Sequence, residues 1–227
     1  MLAAVDLRSG YGSTQVLHGI SLTVAGGEIV ALLGRNGVGK TTLVKTLSGV
    51  LPASAGRVTI DGVDVTRRPP SHRVGLGLRA TYQERGVFAE LTVADNLRLH
   101  GIAPSEEDRI LETFPGWLSD RRSQLAGTLS GGEQKMLAAA IALSSDAGIL
   151  VLDEPTEGLQ PTNVDVLGSL LDAARSAGRG VLLVEQHVAL ATRLADRFLL
   201  AEKGEIVDRG DAAEPDIRQR ISDRLAL

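Results

Sequence analysis

Residues 34–41 (GRNGVGKT), here called the phosphate loop, lie between two runs that predict regular structure. The apolar residues 29–33 (IVALL) before the loop predict a strand, and residues 42–47 (TLVKTL) after it predict a helix. Glycines let the backbone turn tightly, so successive N–H groups point at an anion while the helix N-terminus adds partial positive charge. The order of strand, glycine loop and helix therefore predicts a cradle for a polyphosphate.

Two side chains at the end of this loop suit the phosphates of a nucleoside triphosphate. Lys40 can reach the terminal phosphates, and the Thr41 hydroxyl can ligate a Mg²⁺ ion that bridges the last two of them. A chance match in a glycine-rich chain is the alternative, and the flanking strand and helix argue against it. The candidate nucleotide-binding residues are Gly34, Arg35, Asn36, Gly37, Val38, Gly39, Lys40, Thr41 and Thr42.

The composition argues against several classes of partner. Aromatic residues make up only 3% of the chain and the net charge is −4, so neither base stacking nor electrostatic attraction to nucleic acid is expected. The absence of cysteine removes disulfides and thiolate metal sites. No signal-peptide pattern is present, and no apolar run approaches the ~18 residues of a transmembrane helix. We therefore expect a soluble, cytoplasmic protein without direct membrane insertion, which docks onto other chains if it serves a membrane.

The first quarter of the chain has the patterns of antiparallel strands around the phosphate loop. Residues 2–8 and 20–24 alternate apolar and polar side chains, which predicts two half-buried strands. Residues 58–60 and 63–65 flank an Asp-Gly turn, which predicts a hairpin.

The later part of the chain combines helical spacing with buried strands. Apolar residues recur at helical spacing from about residue 91 to 145, which predicts a helical insert. The continuous apolar runs 149–152 and 181–184 predict strands buried on both faces of a parallel sheet. The remaining predicted elements are a helix at 188–197, a hairpin of 198–200 with 205–207, and a terminal helix at 216–227. We expect one domain, with an α/β core in 1–80 and 146–227 and a helical subdomain in 81–145.

Two carboxylates follow the predicted strand 149–152. Asp153 ends that strand at the sheet edge where the phosphate loop also lies, so it can hold the Mg²⁺ through water. Glu154 turns the other way and can accept a proton from a water that attacks the γ-phosphate. The alternative is a solvated strand end with a turn at Pro155. Because the phosphate loop shares this edge, the catalytic interpretation is favoured.

Residues 129–134 (LSGGEQ), here called the signature loop, precede a predicted helix and have two interpretations. Ser130 and Glu133 have the spacing of a capping box, which would make the loop simply a helix start. Gly131 and Gly132 also expose backbone N–H groups at a helix N-terminus, which predicts a second anion site.

The phosphate loop, the signature loop and residues 152–156 (LDEPT) occur in an order and spacing that resemble the ATP-binding subunits of ABC transporters. The resemblance covers essentially the whole chain. It implies an α/β ABC ATPase fold, in which a P-loop (RecA-like) core sheet carries an antiparallel β subdomain and a helical insert. It also implies that two subunits close head to tail around two ATP molecules, each with Mg²⁺. Each ATP would lie between the phosphate loop of one subunit and Ser130, Gly131 and Gly132 of the other.

The resemblance assigns roles to three further residues. Tyr11 falls where an aromatic side chain stacks on adenine, and Val16 lies beside it. Gln83 falls at the glutamine that joins the two lobes, touches Mg²⁺ and senses the transporter. Without the resemblance, Tyr11 would be a core or turn aromatic and Gln83 an exposed loop residue.

Four stretches narrow the resemblance to the LivF type: 86–93 (GVFAELTV), 126–134 (AGTLSGGEQ), 153–161 (DEPTEGLQP) and 184–186 (VEQ). LivF-type chains are ATPase subunits of branched-chain amino acid importers, and close relatives serve urea and short amides. The resemblance implies a second ATPase subunit, either a LivG-type sister chain or a second copy, beneath two transmembrane permease subunits and a substrate-binding protein. The chain would then lie on the cytoplasmic face of the membrane. A urea or amide importer and an exporter remain alternatives.

Three positions depart from the common ABC pattern. Gln186 stands where most ABC ATPases carry a switch histidine, and His187 follows it. An amide can hydrogen-bond the γ-phosphate but cannot move a proton at neutral pH, so the catalytic role of Gln186 would be binding, and proton transfer falls to Glu154. His187 is interpreted as a surface residue at a strand end, and a contact with the γ-phosphate is the alternative. Gln160 replaces an aspartate that usually makes a contact across the dimer, and Ile141 replaces a common arginine.

Overall fold

A computed structural model of the protein describes residues 1–83, 86–114, 117–186 and 188–226. The strands are β1 (Leu2–Tyr11), β2 (Thr14–Val24), β3 (Ile29–Leu33), β4 (Ala55–Ile60), β5 (Val63–Asp64), β6 (Leu78–Thr81), β7 (Ile149–Asp153), β8 (Gly180–Glu185), β9 (Arg197–Glu202) and β10 (Glu205–Asp211). The helices are α1 (Lys40–Leu47), α2 (Pro70–Gly75), α3 (Val93–Leu99), α4 (Pro104–Thr113), α5 (Trp117–Asp120), α6 (Gly131–Ser144), α7 (Pro161–Ser176), α8 (Val188–Leu194) and α9 (Ile217–Ala226).

The central sheet has the order β10-β9-β3-β8-β7-β6. Its strands are parallel from β9 to β6, and β10 is antiparallel to β9. Every residue of β3, β7 and β8 is buried, as the continuous apolar runs predict. Because β3, β8 and β7 are parallel neighbours, Leu33, Glu185 and Asp153 end at one edge of the sheet.

A second, antiparallel sheet of order β2-β1-β4-β5 packs over α1. The two predicted N-terminal strands, 2–8 and 20–24, are confirmed as β1 and β2. Both strands are longer than the segments in which apolar and polar residues alternate. One face of α1 packs through Leu43, Val44 and Leu47 into a cluster shared with both sheets. The phosphate loop, at the N-terminus of α1, is thereby fixed between the two sheets.

The opposite face of the central sheet is covered by α7, α8, α9 and part of α6. The helices of the predicted insert form a separate hydrophobic cluster, which includes Leu97, Leu111, Leu118, Met136 and Ile141. Burial of Ile141 in this cluster accounts for an apolar side chain at that position. The division of the chain at residues 81 and 145 stays a prediction. In the described part of the chain, no helix is both long and apolar enough to cross a bilayer.

The prediction of a helix at 188–197 is wrong at its end. The helix α8 stops at Leu194, and Arg197 begins β9, where it pairs with Val30. Asp196 prevents continuation of the helix because its N–H donates to the Ile29 carbonyl at 2.8 Å and its Oδ2 accepts from the Ile29 N–H at 2.8 Å. The sequence patterns do not predict α2, β6 or α7.

Arg73, in α2, is a buried cation that holds the C-terminal end of α1 in place. Its Nη1 donates to the carbonyl oxygens of Thr46 at 2.8 Å and Leu47 at 2.6 Å, and its Nη2 donates to the Thr66 carbonyl at 3.1 Å. The Thr46 and Leu47 carbonyls lie at the negative end of the α1 helix dipole, which favours a cation there. Gly49 leaves room for the guanidinium, since a Cβ atom there would lie 2.7 Å from Arg73 Nε.

We predict that Arg73→Ala lowers the free energy of unfolding by about 3 kcal/mol, because the buried carbonyls at the end of α1 lose charged donors. Urea unfolding measures this. The matched control is Arg67→Ala, which removes an exposed arginine and is expected to change stability by less than about 0.5 kcal/mol. Equal losses in the two variants would contradict the assignment.

Candidate functional site

The backbone of the phosphate loop has the tight geometry that the glycines predict. Gly37 and Gly39 have φ values of 80° and 105°, in the left-handed region that favours glycine. A Cβ atom on Gly34 would lie 2.7 Å from the Ala201 carbonyl oxygen, so any side chain there would collide with the backbone of β9. Gly39 forms the N-cap of α1 and leaves the backbone at the helix N-terminus bare.

Lys40 is buried at the centre of this loop. Its Nζ donates to the carbonyl oxygens of Gly34 at 2.7 Å and Arg35 at 3.0 Å. It also forms an ion pair with Glu154 Oε1 at 3.1 Å, and both side chains are almost fully buried. The two residues that the sequence placed at the phosphates and at the attacking water are therefore direct neighbours.

Asp153, the last residue of β7, is a buried carboxylate. Neither of its oxygens has a hydrogen-bond partner of normal geometry among the described residues. Burial raises the pKa of Asp153 to about 6, and the negative charge of Glu154 adds to that effect, while Thr41 and then Lys40 oppose it. A buried carboxylate that lacks hydrogen-bond donors and adjoins a threonine hydroxyl fits the oxygen ligands that Mg²⁺ prefers.

The described residues contain no group of three or more His, Cys, Asp or Glu that could hold a metal by itself. A Mg²⁺ ion bound with nucleotide takes most of its ligands from phosphate and water, so two protein oxygens suffice.

Glu154 is held in an unusual backbone conformation. Its φ of 47° lies in the left-handed region, which residues other than glycine rarely adopt. Its N–H donates to the Val184 carbonyl at 2.8 Å, which ties the turn to β8. Gln83 Nε2 donates to Glu154 Oε2 at 3.0 Å, so the two carboxylate oxygens contact Gln83 and Lys40. The structure thus brings Gln83 to the carboxylates, while its contact with a metal stays a prediction.

Tyr11 and Val16 lie on the antiparallel sheet beside the phosphate loop. Tyr11 ends β1 with an exposed side chain, as an adenine platform requires. A Cβ atom on Gly39 would lie 3.2 Å from Val16 Cγ1, so Val16 packs directly on the loop. Stacking of Tyr11 on a base stays a prediction.

The signature loop forms the predicted helix start. Ser130 is the N-cap of α6, the Glu133 N–H donates to Ser130 Oγ at 3.3 Å, and the Ser130 N–H donates to Glu133 Oε2 at 2.8 Å. Gly131 is exposed, whereas a Cβ atom on Gly132 would lie 2.7 Å from the Gly158 carbonyl oxygen. Gly132 is therefore also needed for packing within this chain.

The signature loop lines a cleft of about 790 Å³ together with the 157–163 segment. None of the described residues lining this cleft belongs to the phosphate loop. The two candidate anion sites are therefore separate within one subunit, as expected if the second site serves a partner.

The end of β8 carries a buried acid that the sequence reasoning did not single out. Glu185 Oε1 accepts hydrogen bonds from the Thr156 hydroxyl at 2.7 Å and the Thr156 N–H at 3.1 Å. Its Oε2 accepts from the Gln186 N–H at 3.2 Å. Glu185 thus ties the turn after Glu154 to the switch position. A carboxylate that ends a buried apolar run, as Asp153 does, was the signal that could have identified it.

Gln186 is exposed at the same sheet edge, and His187 lies outside the described residues. Gln160 is exposed as the N-cap residue of α7 and makes no side-chain capping hydrogen bond. The predicted phosphate contact of Gln186 and the dimer contact at position 160 stay predictions.

A glycine loop that closes around a buried lysine, opposite an acidic strand end, defines the class of P-loop nucleotide-binding proteins. Within that class, the chain belongs to the ABC transporter family, because its sequence matches the family described as "ABC transporter" over residues 17–157.

Three similar proteins align with this chain over more than nine-tenths of its length. The chain is 39% identical over 213 residues to the "High-affinity branched-chain amino acid transport ATP-binding protein BraG" of Pseudomonas aeruginosa, covering 91% of both chains. It is 37% identical over 221 residues to the "Probable branched-chain amino acid transport ATP-binding protein LivF" of Archaeoglobus fulgidus, covering 94% of this chain and 93% of the relative. It is also 33% identical over 220 residues to the "Lipopolysaccharide export system ATP-binding protein LptB" of Escherichia coli K12, covering 94% and 91%.

A solved structure described as "Structure of ATP binding subunit of ABC transporter" superposes with a TM-score of 0.86 and 28% identity, covering 100% of this chain and 98% of that one. The expected ABC ATPase fold is therefore confirmed, and so is the resemblance to LivF-type subunits. As a family member the chain binds ATP, couples its hydrolysis to transport and works with transmembrane permease subunits.

We predict that Asp153→Asn stabilises the protein when metal and nucleotide are absent. The native pKa is about 6 and the ordinary value is about 3.9, so the native state binds the extra proton between about pH 4 and 6. The cost of burying the charge is complete above pH 6, declines as the pH falls through this window and is lost below about pH 4. The variant should gain on the order of 2 to 3 kcal/mol at pH 7.5.

The measurement is urea unfolding in EDTA at a series of pH values. The control Asp120→Asn removes an exposed carboxylate and should show no such trend. A gain for Asp153→Asn that does not shrink toward pH 4 would refute the explanation.

Proposed function

We propose that this chain is the ATP-hydrolysing subunit of an importer of branched-chain amino acids, with Glu154 as the catalytic base. The observation that carries the catalytic part is the direct pairing of Glu154 with Lys40 at the end of β7. Both groups are removed from bulk water. In such a water-excluded site, positioning and charge act most strongly on phosphoryl transfer.

The Lys40–Glu154 pair supports an ordered use of the two groups. A triphosphate in the phosphate loop competes for the Lys40 ammonium, which the loop carbonyls and Glu154 hold in this structure. When the Lys40 ammonium moves to the phosphates, Glu154 Oε1 loses its ion-pair partner. It can then accept a proton from the attacking water. Gln83 remains on Oε2 and keeps the carboxylate oriented.

Other residues bind and orient the nucleotide. The N–H groups of the phosphate loop contact the phosphates, Tyr11 and Val16 contact the base, and Gln186 hydrogen-bonds the γ-phosphate. Thr41, Asp153 and Gln83 would hold Mg²⁺, which when bound neutralises charge on the terminal phosphates. Ser130, Gly131 and Gly132 of a second subunit, either a sister chain or another copy, would complete the site.

A second cleft suits the permease. It has a volume of about 970 Å³ and lies between α2, β6, the 86–91 segment and α6. Val74 and Phe88 at this cleft have exposed apolar side chains. An apolar segment of a permease that docks here would contact both the core and the helical insert. Docking would place the chain on the cytoplasmic face of the membrane, and permeases would connect it to a substrate-binding protein.

Similarity favours amino acid import over export. The identity to BraG is 39% and to LivF 37%, against 33% to LptB. The difference is small, and the LptB match makes an export system the second candidate.

We predict that Glu154→Gln lowers ATP turnover at least 100-fold, because an amide cannot accept the proton, while ATP still binds. Turnover is measured as phosphate release, and binding as ATP-dependent thermal stabilisation. Lys40→Ala is the contrasting variant and should lose the stabilisation as well. Normal turnover in Glu154→Gln would exclude Glu154 as the base.

Purification of the chain with its membrane partners tests the cargo. We expect two permease subunits and a binding protein whose ligand, identified by mass spectrometry, is a leucine-type amino acid. Recovery of urea or a short amide would change the substrate. Recovery of a lipopolysaccharide-bound assembly without a binding protein would reject import.

A further inference from the structure

Glu157 lies beside the catalytic carboxylate without a role in the steps described above. Its Oε2 accepts hydrogen bonds from Lys135 Nζ at 2.8 Å and from Gln83 Nε2 at 3.2 Å. Lys135 lies near the start of α6, directly after the signature loop, and Gln83 lies just after β6. Lys135 also donates to the Glu154 carbonyl at 3.3 Å. Glu157 therefore connects the start of α6 (Gly131–Ser144), here called the signature helix, to the end of β6, an edge strand of the central sheet.

The side-chain amide of Gln83 is held through its nitrogen by two carboxylates. Nε2 donates to Glu154 Oε2 at 3.0 Å and to Glu157 Oε2 at 3.2 Å. A primary amide nitrogen has two hydrogens, so these contacts use both donors. If the Gln83 amide were flipped by 180°, its carbonyl oxygen would face the two negatively charged carboxylates. The two carboxylates therefore direct the Gln83 amide oxygen away from themselves.

Mg²⁺ takes hard oxygen ligands, so the amide oxygen is the atom of the Gln83 side chain that can coordinate it. Glu154 alone would supply one of the two contacts that set the orientation. Glu157 supplies the other, through the hydrogen bond that its Oε2 accepts from Gln83 Nε2 at 3.2 Å.

We infer that Glu157 is a positioning residue, which sets the orientation of the Gln83 amide so that its oxygen faces the metal–nucleotide site. Glu157 itself touches neither metal nor nucleotide. The inference rests on the proposed function, in which Gln83 is a ligand of the Mg²⁺ bound with ATP.

The test measures binding and does not depend on turnover. The full-length protein is stabilised thermally by a non-hydrolysable ATP analogue, and the stabilisation is recorded against Mg²⁺ concentration. Glu157→Ala should raise the half-maximal Mg²⁺ concentration about fivefold, because one of the two contacts on the Gln83 amide is lost. Glu157→Gln keeps an acceptor oxygen and should stay within about twofold of the parent. Stabilisation by the analogue in EDTA should be the same in all variants.

Lys135→Ala is the matched control. It breaks the link from Glu157 to α6 but leaves the acceptor for Gln83 in place, so the expected shift is less than about twofold. If Lys135→Ala and Glu157→Ala gave equal shifts, Glu157 would act through the signature helix and the inference would be overturned.

Two further results separate the inference from its premise. A parent protein without Mg²⁺-dependent stabilisation, or an unchanged Gln83→Ala variant, would overturn the proposed metal site and the inference with it. A parent that responds normally to Mg²⁺, with a Glu157→Ala variant that matches it, would overturn the inference alone.

Discussion

The buried ammonium of Lys40 is the group on which the geometry of the site depends. Removing such a charge from water costs several kcal/mol unless partners compensate for it. Two carbonyl oxygens of the phosphate loop and the carboxylate of Glu154 provide that compensation. The loop can wrap around the ammonium only because Gly37 and Gly39 adopt left-handed backbone conformations. The same contacts hold Glu154, the proposed base, against Lys40, the proposed phosphate-binding cation.

The parallel sheet explains why these groups meet. Leu33, Asp153 and Glu185 end adjacent parallel strands, so whatever follows each strand is delivered to one edge. The phosphate loop follows β3, Glu154 follows β7, and Gln186 follows β8. Packing of α1 between the two sheets then fixes the distance between the loop and the carboxylates.

The contacts of Glu154 and Glu157 also join this edge to the helical insert. Gln83 follows β6 and Lys135 lies in α6, and both reach the turn after β7. The position of the insert therefore bears directly on the residues that contact Glu154, the proposed base. The insert has its own hydrophobic cluster, and α6 contributes side chains both to that cluster and to the core of the sheet. These features suit a protein in which ATP hydrolysis is coupled to a permease.

The amino-acid sequence specifies the elements that depend on neighbouring residues in the chain. Apolar runs specified the buried strands, Ser130 and Glu133 specified the start of α6, and the glycine pattern specified the phosphate loop. It did not determine where α8 ends, because Asp196 stops that helix by pairing with Ile29, far away in the chain.

The contacts between residues of the site depend on tertiary packing. The left-handed φ of Glu154 and the burial of Arg73 depend on neighbours from other elements. Gln83 meets Glu154 and Glu157 across 71 and 74 positions of the chain. Periodicity and motif spacing report on residues a few positions apart, whereas these hydrogen bonds exist only after strands and helices have packed.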